Sequence, residues 1–143
     1  MNAHLIIDGH NLLHKIPDLA ELHRHQPESA RQKLIDLLAN FAAQAPETVH
    51  LVFDGRGPKA AQMAHDASGE LRIVYSGKGM SADTLIERVT ARHAKNQRMT
   101  VVSDDRLVRD SAQANEAFTM NCQSFLQRLD DSVRNQRRYF RKD

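Results

Sequence analysis

The chain has 143 residues, of which 41% are apolar and 27% charged, with a formal net charge of +2 and one cysteine. This length and composition predict one globular domain and exclude a disordered chain. A single cysteine excludes an internal disulfide, and no apolar run approaches the roughly 20 residues that span a bilayer. Because a signal-peptide pattern is also missing, we expect a cytoplasmic protein without a membrane partner.

The first part of the chain predicts a strand followed by helical structure. Residues 4–7 are apolar and stop at Asp8 and Gly9, as a short buried strand followed by a tight turn would. Segment 12–27 has apolar residues at helical spacing but contains two prolines, so no element is assigned to it. Residues 29–44 carry one apolar stripe at helical spacing, which predicts a helix that ends before a proline.

The remaining elements continue the alternation of strands and helices. Residues 49–53 and 71–75 predict two strands, with a loop over 56–69 between them. Further along we predict a helix over 82–96, a strand over 99–102, a helix over 106–114, a strand over 117–120 and a helix over 122–129. Short strands separated by helices pair in parallel through right-handed crossovers. The sequence therefore predicts a three-layer α/β/α sandwich with a mainly parallel central sheet, over residues 1–130, followed by a basic tail over 131–143.

Acidic residues follow three of the predicted strands, at Asp8, Asp54 and Asp104. Parallel strands end at one edge of the sheet, so these carboxylates are expected to crowd together and repel unless a cation or proton relieves them. Asp83 and Glu87 are one helical turn apart and project from the same side of the predicted helix. Each residue alone is explained by an ordinary turn or cap. Together they indicate an all-oxygen site, which suits Mg²⁺ or Mn²⁺.

Other ligand motifs fit the sequence less well. His10 and His14 have an HxxxH spacing, but the glutamate of a zinc metalloprotease motif is missing, so the zinc signal is weak. The first strand is followed by DGHN and not by the GxGxxG of a dinucleotide-binding fold. The loop over 76–79 is rich in glycine but lacks the spacing of a phosphate-binding P-loop, although Lys78 within it could still contact a phosphate.

Four motifs then occur in a specific order: "IIDGHNLLH", "LVFDG", "GMSADTLIERV" and "MTVVSDD". This order resembles the YacP-like NYN domains, a bacterial branch of the PIN-like nucleases, over residues 4–129. The resemblance implies a PIN-like parallel sheet whose first strand lies between the second and the fourth. It also implies metal-dependent hydrolysis of RNA phosphodiester bonds, with endonucleolytic action as our expectation. The RNA target, a ribosome association and the oligomeric state are left open.

The resemblance assigns roles to individual residues of this chain. It implies a catalytic set of Asp8, Asn11, Asp83 and Asp104. The implied or candidate ligands for Mg²⁺ or Mn²⁺ are Asp8, Asp54, Asp83, Glu87, Asp104 and Asp105. Two positions depart from the family pattern: His10 stands where tyrosine is common, and Asp54 is followed by Gly-Arg-Gly where an alanine is more usual.

Basic residues supply the candidate RNA contacts. These are Arg56, Lys59, Lys78, Arg134, Arg137, Arg138 and Arg141. Cations neutralise backbone phosphates, and the aromatic pair 139–140 in the tail offers rings for stacking on bases. The alternative for each basic residue is a solvated surface charge. The alternatives for the whole chain are a non-catalytic RNA-binding adaptor, which would not need the full carboxylate set, and a phosphatase for small phosphorylated molecules, which leaves the tail without a task.

Overall fold

The structure, a computed structural model, describes residues 3–55 and 71–140, with 136–140 in their backbone only. Its strands are β1 (Ala3–Asp8), β2 (Thr48–Phe53), β3 (Leu71–Tyr75), β4 (Arg98–Val102) and β5 (Phe118–Met120). Its helices are α1 (Gly9–Lys15), α2 (Pro17–His25), α3 (Pro27–Ala42), α4 (Ala82–His93), α5 (Arg106–Ala114) and α6 (Cys122–Phe140). The strands form one five-stranded parallel sheet in the order β3-β2-β1-β4-β5. The predicted sandwich and the central position of β1 are confirmed.

Side chains that alternate along β1 fill two separate cores. Leu5 and Ile7 belong to a core that also holds buried residues of α1, α2, α3 and α6. Ile6 points to the opposite face and packs with residues of α4 and α5. Successive side chains of a strand face opposite sides, so an uninterrupted apolar strand is what a sheet covered on both faces requires.

The two prolines of segment 12–27 begin helices. Pro17 and Pro27 each occupy the first turn of a helix, α2 and α3 respectively. The first turn needs no backbone N–H donor and matches the fixed φ of proline, so these residues favour helix starts. The segment that the sequence left unassigned is therefore mostly helical.

Helix α6 is longer than the predicted helix over 122–129. It continues to Phe140, across the predicted boundary between residues 130 and 131. Contacts one turn apart support this polar extension: Gln127 Nε2 donates to Asp131 Oδ1 over 3.1 Å, and Arg134 lies 3.1 Å from Asp130. The tail thus continues a helix up to residue 140. In residues 3–55 and 71–140, the helices are too short or too polar to cross a bilayer.

A cavity of about 310 Å³ lies between the sheet and α4. Its lining is mostly apolar, with His4, His50, His93 and Gln97 as polar members. His4 Nδ1 and His50 Nε2 are 3.0 Å apart, so one ring donates a hydrogen bond to the other. Burial is the main cause of a lowered pKa for both rings, and it brings the pKa of His50 to about 4. Both rings are therefore neutral at physiological pH.

Candidate carboxylate site

Four helices begin at the carboxyl edge of the sheet, and a carboxylate oxygen accepts a backbone hydrogen bond at the start of each one. The pairs are Asp8 Oδ1 with Asn11 N at 3.5 Å (α1), Asp54 Oδ1 with Ala82 N at 2.6 Å (α4), Asp105 Oδ1 with Leu107 N at 2.9 Å (α5) and Asp104 Oδ1 with Cys122 N at 2.8 Å (α6). Helix N-termini carry partial positive charge, which stabilises anions. The caps therefore orient the carboxylates and offset part of their mutual repulsion.

Asp8 is the most buried of these carboxylates. It ends the central strand, and the residue is 2% exposed. The pKa of Asp8 is raised to about 6: burial is the largest cause, the charges of Asp83 and Asp54 act in the same direction, and hydrogen bonds from Asn11 N and the Ser103 hydroxyl partly oppose them. Ser103 Oγ donates to Asp8 Oδ2 over 3.2 Å. Asp8 thus carries a buried charge that its two hydrogen bonds offset only in part.

The carboxyl groups of Asp83 and Asp105 lie close to each other. The pKa of Asp83 is raised first by burial, then by the charges of Asp105 and Asp54 and by a hydrogen bond with the Asp105 carboxyl. The charge of His10 acts in the opposite direction. A hydrogen bond between two carboxyl groups requires a proton that the pair shares. A cation placed between them would relieve the same repulsion.

Asp104 makes its contacts with other residues. While Oδ1 caps α6, Oδ2 lies 3.5 Å from Lys15 Nζ. The backbone N of Asp104 donates to Asn11 Oδ1 over 3.0 Å. Asp104 and Asn11 therefore connect β4 to α1 and α6, while the next residue, Asp105, contacts Asp83.

Gly9 has a different role from the predicted one. We expected it to turn the chain after β1, but α1 begins directly after Asp8 and includes Gly9. A Cβ atom at Gly9 would lie 2.7 Å from Phe53 Cε1 and 2.8 Å from the Val52 carbonyl oxygen. Glycine is therefore needed because α1 passes close to β2, and this approach fixes Asp8 and Asn11 relative to the sheet.

Glu87 and Lys78 lie at the surface near this edge. Glu87 is exposed one turn beyond Asp83 and, in the described part of the chain, is not among the charges that shift the pKa of Asp8 or Asp83. Lys78 is exposed in the loop that follows β3. That loop is tied to the end of β2, since Gly55 N donates to Ser76 Oγ and Gly77 N donates to Gly55 O, each over 2.9 Å.

The remaining candidate RNA contacts stay predictions. Arg134 is exposed on α6 and pairs with Asp130. Arg137 and Arg138 belong to α6, but their side chains lie outside the described residues, as do Arg56, Lys59 and Arg141 in full.

Two contributors to the site had no assigned role from sequence. Ser103 is fully buried, donates to Asp8 and accepts a hydrogen bond from Asp105 N over 3.0 Å. It lies in the "MTVVSDD" motif, where a small hydroxyl residue directly after a buried strand indicates a partner for a nearby carboxylate. Lys15 lies one helical turn after Asn11 in α1. Its position would have followed from spacing if α1 had been recognised as a helix.

No group of three His, Cys, Asp or Glu side chains in residues 3–55 and 71–140 is arranged to hold a metal ion directly. The nearest arrangement to a ligand set is the group of carboxylates around Asp8 and Asp83, whose members act on each other through their charges. Mg²⁺ usually keeps several waters and takes one or two protein carboxylates directly. The donor chemistry therefore fits a hydrated cation of this kind.

Comparison with known proteins adds a family match and structural relatives. The profile of the YacP-like NYN domain matches residues 5–143. The crystal structure of Rae1 (YacP) from Bacillus subtilis superimposes with a TM-score of 0.80 at 22% identity, covering 99% of this chain and 81% of that one. A mutant of the same protein gives a TM-score of 0.81 at 22% identity, covering 97% and 81%. No curated protein sequence matches the chain.

Proposed function

Because the chain belongs to the YacP-like NYN domain family, we propose that it is a metal-dependent ribonuclease that hydrolyses RNA phosphodiester bonds at the carboxyl edge of its sheet. One observation carries the proposal. The Asp8 carboxylate is buried at the end of the central strand, where the charges of Asp54 and Asp83 raise its pKa. A fold without use for a cation there would be more stable with a neutral side chain.

The proposed cation is Mg²⁺ or Mn²⁺, for which carboxylate oxygens and water are the preferred ligands. When bound, such an ion lowers the pKa of a bound water and stabilises charge on the phosphate. Asp8, Asp83 and Asp105 would hold it, directly or through water. Asp54 would orient the start of α4, on which Asp83 lies, through its 2.6 Å bond to Ala82 N.

The other residues of the site have positioning and phosphate-binding roles in this proposal. Ser103 fixes the orientation of the Asp8 carboxylate through its 3.2 Å hydrogen bond. Asn11 aligns α1 with the end of β4, and its side-chain NH₂ group is a donor suited to a phosphate oxygen. Lys15 and Lys78 are exposed cations at the same edge and would neutralise backbone phosphates.

The test is cleavage of RNA with Mg²⁺ or Mn²⁺ by the wild type and by Asp8→Asn. The asparagine Oδ1 can still accept from Asn11 N, and its NH₂ group can donate to Ser103 Oγ, so the fold should persist while the ligand charge is lost. We expect activity to fall by at least about 100-fold, the size of a lost metal contact worth several kcal/mol. Asp36→Asn, at an exposed position of α3, is the matched control and should cleave normally. Normal cleavage by folded Asp8→Asn would contradict the proposal.

The same assay separates Asp104 from Asp105. If Asp105 faces the cation with Asp83, Asp105→Asn should lose as much activity as Asp83→Asn. Asp104→Asn should instead have a lower melting temperature than wild type, because the substitution weakens the cap of α6 and removes the ion pair with Lys15. The adaptor alternative predicts a different result: wild-type protein that binds RNA in the presence of either ion without cleaving it.

A further inference from the structure

Three histidine rings of α1 and α2 lie in mutual contact. The ring centroids are 4.2 Å apart for His10 and His14, 4.9 Å for His14 and His23 and 6.2 Å for His10 and His23, with interplanar angles of 60° to 79°. We call these three residues the histidine cluster. His10 and His14 are exposed and His23 is half-buried, so the cluster presents aromatic surface to solvent.

The histidine cluster adjoins the carboxylate site through α1. His10 lies between Asp8, which caps α1, and Asn11, and its charge acts on Asp83. His10 and His14 are exposed at the surface, so two of the three rings are open to a bound partner. A chain bound at the carboxylates would therefore lie near His10, one of the three rings.

The rings suit an aromatic partner better than a metal ion. Burial and the charges of the other two histidines lower the pKa of His14, which favours its neutral form at neutral pH. In residues 3–55 and 71–140, no three side chains of the usual ligand types are arranged to hold a metal, and this includes the histidine cluster. Aromatic rings that reach the solvent are what bases stack on in single-stranded nucleic-acid sites.

We infer that the histidine cluster is a stacking platform for an unpaired RNA base beside the carboxylate site. The inference rests on the proposed ribonuclease function and makes its substrate single-stranded at this position. Bases within a duplex already stack on their neighbours, whereas splayed bases of single strands can stack on aromatic side chains. Stacking of this kind tolerates any base, because every base has a π-face.

The test measures binding, so that it does not depend on cleavage. Fluorescence anisotropy of the full chain in EDTA would compare a labelled single-stranded RNA with a hairpin duplex of the same composition. We expect His14→Ala to weaken single-strand binding by about 5- to 100-fold, the range for loss of a base–aromatic stack, and to leave duplex binding unchanged. His14→Phe keeps a ring and should bind within about twofold of wild type. His25→Ala is the matched control, because His25 is exposed on α2 outside the cluster and contacts Glu21.

Three results would overturn the inference. The first is equal binding by wild type and His14→Ala, confirmed with His23→Ala. The second is a His14→Phe protein as weak as His14→Ala, which would mean that the imidazole nitrogens act and the ring face does not. The third is binding that depends on the cluster only when Zn²⁺ is added, which would make the cluster a metal site. If the wild type cleaves RNA but His14→Ala binds it normally, the stacking platform is contradicted and the ribonuclease function stands. If binding depends on the ring but the wild type does not cleave RNA, the ribonuclease function is contradicted and the stacking platform stands.

Discussion

The two ends of the sheet bury opposite kinds of titratable group. Towards the amino-terminal end, His50 in β2 pairs with His4 beside an apolar cavity, and burial lowers the pKa of His50 to about 4. At the carboxyl end, burial raises the pKa of Asp8 to about 6. Burial disfavours the charged form in both places. At neutral pH His50 is therefore neutral, whereas Asp8 is charged. Of these two ends in the described part of the chain, the carboxyl end is the one that retains electrostatic repulsion for a ligand to relieve.

The largest expected effect is at Asp8. The folded protein binds the Asp8 proton near pH 6 and the unfolded chain near 3.8, so wild type gains stability as pH falls through this window and loses it as pH rises. Asp8→Asn has no such change. In EDTA, its advantage in unfolding free energy over wild type should therefore shrink by roughly 2–2.5 kcal/mol between about pH 7.5 and pH 4. Urea unfolding of both proteins at several pH values measures this difference in unfolding free energy. A difference that does not change with pH would contradict the raised pKa of Asp8.

His50 should give the opposite dependence, slightly reduced because its ring is part-exposed. The unfolded chain protonates His50 near 6.5 and the folded protein near 4, so wild type is stabilised above that window and loses this stability as pH falls through it. We expect wild type to lose roughly 2–3 kcal/mol relative to His50→Gln from about pH 7.5 to pH 4. The same urea series applies. A loss of equal size in both proteins would place the acid sensitivity elsewhere.

A divalent cation should act at one end of the sheet alone. A ligand of the native state raises the unfolding free energy by about 2.7 kcal/mol at 100 times its Kd. Mg²⁺ or Mn²⁺ should therefore raise the melting temperature of wild type and of His50→Gln equally, and that of Asp8→Asn much less. Sodium chloride at the same ionic strength is the control. An equal rise in all three proteins would mean that the ions bind elsewhere.

The smallest effect concerns Cys122 at the carboxyl end. Burial and the charge of Asp104 raise the pKa of the Cys122 thiol to about 12. Since the thiolate is the reactive form, iodoacetamide at about pH 8 should label native protein at least about 100-fold more slowly than protein unfolded in urea. Mass spectrometry follows the label. Rapid native labelling would show that this edge is more open to water than its burial indicates.

Sequence predicted the sheet better than the details of the site. The strands were readable because they are apolar on both faces, and parallel pairing then placed Asp8 and Asp83 at one edge. Whether Asp104 or Asp105 meets Asp83 was not readable, because it depends on which carboxylate caps α5 and which caps α6. The contact between Lys15 and Asp104 was not predicted, because the two prolines in segment 12–27 left that segment without an assigned helix. In the structure these prolines begin α2 and α3.

The central position of β1 also orders events during synthesis. Asp8 receives its hydrogen bond from Ser103, 95 residues later, and Asn11 receives one from Asp104, 93 residues later. A growing chain cannot close these contacts until β4 has left the ribosome, and contacts between distant residues form slowly. Nascent protein therefore carries its acidic residues unassembled, and only the docking of β4 against β1 brings Ser103 and Asp104 to Asp8 and Asn11.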